Sequence, residues 1–230
     1  RDMNITFLIG NGFDRNLGLA TTYSDFVKYY KNLNSDSQEI KKFRTHISEN
    51  EELWSSAEEA LGKYTQQLET GESLAFSECQ TDFCIHLAKY LQGQEQRIDY
   101  DASQEAIKKA FGQLRSFASP FPSETRNNIY RLYSHLNAEN VAFNFINYNY
   151  TYTLDKCLNV IKNIPGLLGS HTFGGNQYRN HVGTICHVHG TIDGQMVFGV
   201  NDESQIAKLD VFDGDDGDLC KKFLIKKETN

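Results

Sequence analysis

Four short stretches of this chain pair glycines, amides and imidazoles with the ends of apolar runs, which is where small polar ligands are usually held. The first is Gly10-Asn11-Gly12-Phe13-Asp14, directly after Ile5-Thr6-Phe7-Leu8-Ile9. Glycines between a strand and a helix start let backbone N–H groups approach a diphosphate. The next glycine is Gly18 and no P-loop lysine follows, so nucleoside triphosphate hydrolysis is disfavoured. Asp14 would repel a phosphate unless its carboxylate took a ribose hydroxyl or a loop N–H. A plain strand-to-helix turn capped by Asp14 accounts for the same residues equally well.

The second stretch, Asn147-Tyr-Asn149-Tyr150-Thr151-Tyr-Thr153-Leu-Asp155, follows the apolar run Val141–Ile146. An amide such as Asn149 donates and accepts at once, which suits a ribose or a carboxamide; Thr151 or Thr153 also suits the cap of a following helix. The third, Cys186-His187-Val188-His189-Gly190, puts two imidazoles on one side of a strand if the strand runs that far. Such a histidine acts as a base near neutral pH or simply bonds a loop carbonyl. A third metal ligand is not evident in the spacing, so no metal is expected. The fourth is Phe198-Gly199-Val200-Asn201-Asp202, apolar residues again running into polar ones.

The elements that must carry these stretches are a strand at Ile5–Ile9, strands at Val141–Ile146, Thr184–Val188 and Met196–Val200, and a helix from Thr153. Thr22 is placed to cap a helix running to Tyr30, with Asp25 in its first turn. Between the first two strands the pattern is helical. Trp54, Ala57, Leu61, Tyr64 and Leu68 form one stripe, Phe76, Phe83, Leu87 and Leu91 a second, Ile107, Phe111, Leu114 and Phe117 a third, and Ile129, Leu132/Tyr133 and Leu136 a fourth. Three segments result: residues 1–36 with the glycine loop, a helical insert or layer at 37–136, and the rest of an α/β domain at 137–230. Trp54 is expected in the core, and the acidic tract Asp213–Asp218 reads as a solvated loop.

With 30 acidic against 23 basic residues the net charge is −7, and no basic block is present. Duplex nucleic acid is therefore a disfavoured partner. No run approaches the roughly 18–20 apolar residues of a membrane helix. Five cysteines without C-x-x-C spacing read as reduced thiols, and a cytoplasmic location is expected. Arg1-Asp2 ahead of Met3 looks like a cloning scar.

Taken together, Gly-Asn-Gly-Phe-Asp, Asn-Tyr-Thr-x-Thr-Leu-Asp, His-x-His-Gly and Phe-Gly-Val-Asn-Asp resemble the AbiH family of bacteriophage abortive-infection proteins. Thr21–Phe26 and Trp54–Glu58 resemble its pattern too, although the family more often has Asp at the position of Ser56. The resemblance implies anti-phage defence. It also implies a Rossmann-like, sirtuin-like parallel sheet with a large all-helical insert between its first two strands, because AbiH proteins are similar to the NAD-binding sirtuin-like fold. Carried over, Asn149 and His189 take catalytic places. Gly10, Asn11, Gly12, Phe13, Asp14, Tyr150, Thr151, His187, Asn201 and Asp202 bind NAD or a related nucleotide. Sirtuin-like hydrolases usually show Asp where Thr151 stands, which lowers the electrostatic help for an oxocarbenium-like transition state. AbiH chains usually run further, so the α/β domain is expected to be incomplete at its C-terminus.

The expectation is an effector that binds NAD or a related nucleotide and hydrolyses its N-glycosidic bond, triggered by a phage or host protein, with self-association left open. A non-catalytic nucleotide sensor signalling through the helical layer competes with it. A nuclease toxin ranks last, since Arg131 and His135 lack the spacing of helical ribonucleases and the chain is acidic.

Overall fold

The computed structural model describes residues 3–135, 138–194 and 196–226. Leu136 of the fourth stripe and the chain's last four residues lie outside them. In chain order the elements are β1 (Met3–Ile9), α1 (Gly12–Asn16), α2 (Tyr23–Tyr30), α3 (Gln38–Glu49), α4 (Ala57–Tyr64), α5 (Ser73–Glu95), α6 (Gln104–Phe111), α7 (Ser123–Ser134), β2 (Val141–Asn147), α8 (Thr153–Ile161), β3 (Ser170–Phe173), β4 (Asn176–His187) and α9 (Asp215–Leu224). The protein is thus a mixed α/β chain. Its contacts divide it into two units, one of residues 1–13 and 96–188, the other of residues 14–95 and 189–230.

The first unit holds a four-stranded sheet of order β1-β2-β4-β3. Strand β2 pairs in parallel with β1 on one side and with β4 on the other, while β3 is antiparallel to β4. Gly174 and Gly175, both at positive φ, close β3 onto β4. That is the backbone a two-residue primed hairpin turn requires, and a Gly-Gly pair supplies it without strain. The parallel α/β sheet expected from the sequence is present in β1, β2 and β4. Among the described residues no strand lies beyond β1, so this set lacks the reversal of strand order that opens the crevice of a doubly wound sheet.

Val141, Phe143 and Phe145 alternate onto one face of β2, where Ile107 and Phe111 of α6 and Leu154, Cys157, Leu158 and Ile161 of α8 bury them. Strand β1 alternates between half-buried and exposed residues rather than being buried throughout, and Leu8 is 67% exposed. An edge strand with one covered face behaves in this way. In α7 only Tyr133 of the described stripe residues packs on the core, whereas Leu132 is 60% exposed.

The second unit is helical. Thr22 caps α2 as its sequence position suggests: its hydroxyl accepts from the Asp25 N–H at 3.1 Å and the Asp25 carboxylate accepts from the Thr22 N–H at 3.3 Å. Phe26, Tyr30, Phe43, Trp54, Phe76 and Phe83 form an aromatic core, with Trp54 fully buried 5.1 Å from Phe43. The strand expected at Met196–Val200 is not formed. Gln80 Nε2 donates to the Phe198 carbonyl at 2.9 Å, and Val200 exchanges backbone bonds with the tail of α9. These partners occupy the backbone groups that a sheet would need. Residues 213–218 are not a free acidic loop either, because α9 begins at Asp215.

Candidate functional site

Register brings the ends of the three parallel strands level. Ile9 of β1 stands beside Asn147 of β2, and Asn147 beside His187 of β4. The backbone ladder continues one residue further, with Tyr148 N bonding Ile9 O at 2.9 Å and Val188 N bonding Asn147 O at 3.0 Å. Pleating puts Asn147 on the same face as Phe143 and Phe145, the face that α8 covers. Polar groups at the strand ends are therefore packed against the first turn of that helix.

Asn147 is fully buried, and its side-chain oxygen accepts from the Asn149 N–H at 3.0 Å, an Asx turn that fixes the backbone of Asn149. Asn149 in turn donates from Nδ2 to the Gly10 carbonyl at 3.2 Å. This tethers the loop after β2 to the loop after β1. The Gly10 carbonyl also accepts from Phe13 N at 3.0 Å. Two buried polar atoms, Asn147 Nδ2 and Thr153 Oγ1, have no hydrogen-bond partner among the described residues. Each such atom costs about 1–3 kcal/mol when nothing satisfies it.

His187 lies where these loops meet. Its Nε2 is 3.0 Å from Asp155 Oδ2 and its Nδ1 is 3.2 Å from the Asn149 carbonyl. The ring also meets Tyr152 edge-on at 5.7 Å. The hydrogen bond to Asp155, and then that carboxylate's charge, raise the imidazole pKa above its ordinary value against the opposing effect of burial. Asp155 was not singled out from the sequence, and neither was Asn147. Nothing in the spacing links residue 155 to residue 187; that link follows from β2 and β4 being neighbours with α8 between them in the chain. The N-cap position of α8 is Tyr152, with no side-chain capping bond, and not Thr151 or Thr153.

The glycines of the first loop show what the fold does not ask of them. Neither Gly10 nor Gly12 has a positive φ, and a Cβ built on either meets no atom within 4 Å. Both are exposed. By contrast a Cβ on Gly183 of β4 would lie 2.2 Å from Asn144 Oδ1. Phe13 points into the core, 6.1 Å from Phe111. Tyr150 and Thr151 are buried beside Asn149 in the chain.

The remaining expected site residues, Asp14, His189, Asn201 and Asp202, belong to the second unit. Strand β4 ends at His187, so strand alternation does not extend to His189. Burial first, and then the positive charge of Lys226, lower the His189 pKa, while Glu58 opposes them. Together they favour the neutral form of the ring. Lys226 pairs with Glu58 at 2.6 Å, and Tyr23 donates to the same carboxylate at 3.1 Å. A cavity of about 390 Å³ beside them is lined by Tyr23, Ser55, Ser56, Glu58, Glu59, Asn201 and Gln205. The Asp202 carboxylate caps the turn Glu203–Gln205 by accepting from Ser204 N at 2.8 Å. Asp14 is buried. Among the described residues no group of three His, Cys, Asp or Glu side chains is placed to hold a metal, and no helix is long and apolar enough to cross a membrane.

Residues 6–228 match the family described as Bacteriophage abortive infection AbiH. No curated protein and no solved structure matches the chain.

Proposed function

The chain belongs to the bacteriophage abortive infection AbiH family, and from that premise we propose that it is an abortive-infection effector that binds NAD or a related nucleotide and hydrolyses its N-glycosidic bond. The nucleotide sits at the carboxyl ends of β1, β2 and β4, with its diphosphate against the Gly10-Asn11-Gly12 backbone and a ribose against Asn149. A phage or host protein supplies the trigger.

The observation that carries this reading is the pair of glycines that the fold does not require. Gly10 and Gly12 satisfy neither a positive φ nor a tight contact. A bare backbone at such a position is what close approach of a diphosphate needs. The unsatisfied Asn147 Nδ2 at the end of β2 and Thr153 Oγ1 in the first turn of α8 are consistent with a polar ligand nearby. The sirtuin-like comparison rests on the motif resemblance and on the parallel strands.

In the hydrolysis, the oxygen of a water bonds to the anomeric carbon as the C–N bond breaks. Nicotinamide leaves with that electron pair as a neutral base, and a protein base takes the water's proton. Thr151 offers no negative charge to the oxocarbenium-like transition state, so turnover is slow. This substitution favours the second reading, a sensor that binds nucleotide without cleaving it.

Calorimetry with NAD and an assay of nicotinamide release test both readings. Asn149→Ala is expected to weaken binding about tenfold, the effect of a lost hydrogen bond. Tight binding without nicotinamide release selects the sensor. Absence of nucleotide binding by the wild-type chain removes the proposal.

A further inference from the structure

We propose that His187 is the positioning residue of this nucleotide site: a doubly bonded imidazolium that clamps Asn149 and makes nucleotide binding weaken as pH rises. The inference rests on the nucleotide reading above for its consequence, and on the geometry of the first unit for its cause.

Both ring nitrogens of His187 face oxygen acceptors. Asp155 Oδ2 lies 3.0 Å from Nε2 and the Asn149 carbonyl 3.2 Å from Nδ1. A carboxylate and a carbonyl can only accept, so each contact needs a proton on the ring. A neutral imidazole carries one N–H. Whichever tautomer forms, the other nitrogen then points a lone pair at an oxygen. Only the imidazolium satisfies both partners at once. The side chains are 13% and 23% exposed for His187 and Asp155, so water replaces neither bond at little cost.

The groups packed around the ring agree with this. Asp155 comes from the first turn of α8, the Tyr152 ring stands 5.7 Å away, and the loop presents a carbonyl. Among the described residues the charged group set against the ring is the Asp155 carboxylate, and the pKa is raised accordingly. With both nitrogens engaged, His187 has no lone pair to offer a substrate. Its role is to hold the backbone of Asn149, whose amide is the group that reaches Gly10.

The sign follows from the direction of the shift. The folded-state pKa lies above the ordinary value of about 6.5, so the clamp is complete below that value. It is released as pH rises through the raised one. Release frees the Asn149 carbonyl, and the loop keeps only the Asn147 and Gly10 bonds of the three contacts described for Asn149.

The test combines ¹⁵N NMR of the histidine rings with NAD binding measured across pH 5.5–9 on the intact chain. The His187 ring is expected to keep two N–H groups to a higher pH than a free imidazole does, and one above that. The wild type is expected to bind NAD about five- to tenfold more weakly once the second proton is gone, as one hydrogen bond is worth. His187→Gln donates a bond but does not titrate, so it is expected to bind with a flat pH profile. Asp155→Asn is expected to bring the His187 titration down. Circular dichroism checks that both variants are folded. Loss of the second ring N–H at or below the pH at which a free imidazole loses it, or an unchanged pH slope in His187→Gln, overturns the clamp. Two ring N–H groups with no NAD binding at any pH uphold the clamp and remove the nucleotide reading instead.

Discussion

Arg44→Ala is expected to destabilise the second unit by about 3–5 kcal/mol, the cost of breaking a buried ion pair from one side. Arg44 is 5% exposed and its Nη2 donates to Asp82 Oδ2 at 2.7 Å, while Nη1 donates to the Leu33 and Asn34 carbonyls at 2.7 and 2.9 Å. The guanidinium also lies over the Tyr30 ring, 4.6 Å from its centroid. Alanine leaves the Asp82 carboxylate, only 18% exposed, with the Tyr30 hydroxyl at 2.6 Å and without its strong cationic partner. Burial, and then Asp82, push the Tyr30 hydroxyl well above its ordinary pKa, so that hydroxyl stays protonated and donating. Lys42 pairs with Glu39 at 2.9 Å but is 69% exposed, and Lys42→Ala is expected to leave stability nearly unchanged. Urea denaturation of the two variants side by side measures the difference. Equal, small losses would mean that the Arg44 network is as solvated as the surface pair.

Gly199→Ala is expected to cost about 3 kcal/mol or more, through space and not through backbone conformation. A Cβ there would stand 1.9 Å from the Leu224 carbonyl oxygen and 2.9 Å from its carbon. Neither side can yield easily: Val200 N bonds Leu224 O at 3.0 Å and Lys226 N bonds Val200 O at 2.8 Å. Moving this segment would also carry Lys226 away from Glu58, the charges nearest His189. Thermal unfolding of Gly199→Ala, with amide exchange at Val200 and Lys226, reports both consequences. A variant as stable as the wild type would show that the approach of the α9 tail to Gly199 is looser than drawn here.

What could be read from the sequence follows from how local each signal is. Thr22 with Asp25, the α5 stripe of Phe76, Phe83, Leu87 and Leu91, and the helix from Thr153 depend on residues within a few turns of each other, and the structure has all three. The expected strand at Met196–Val200 fails because its backbone partners, Gln80 and the α9 tail, are distant in sequence. The β3–β4 hairpin had a visible sign in Gly174-Gly175, but β3 is short, and it and the Asn176–Arg179 stretch of β4 that it pairs with are mostly polar, without the apolar alternation that marks a strand. At the candidate site, Gly10, Asn149 and His187 stood out because they follow apolar runs. Asn147 and Asp155 did not, because only strand register and the placement of α8 give them their partners. The distinction between Gly199 and Gly12 was equally hidden: both sit in a glycine motif, and only coordinates show one crowded and the other open.

The central claim is that the backbone at Gly10 and Gly12 is bare for a ligand and not for the fold. The most direct measurement is NAD affinity and folding stability of the double variant Gly10→Ala/Gly12→Ala. Its stability is expected to match the wild type within about 1 kcal/mol, because alanine suits the start of α1 better than glycine does. Its affinity is expected to fall about tenfold or more, as methyl groups enter space that the diphosphate uses. Undiminished NAD binding by this variant, or a loss of stability large enough to explain weaker binding, would contradict the account.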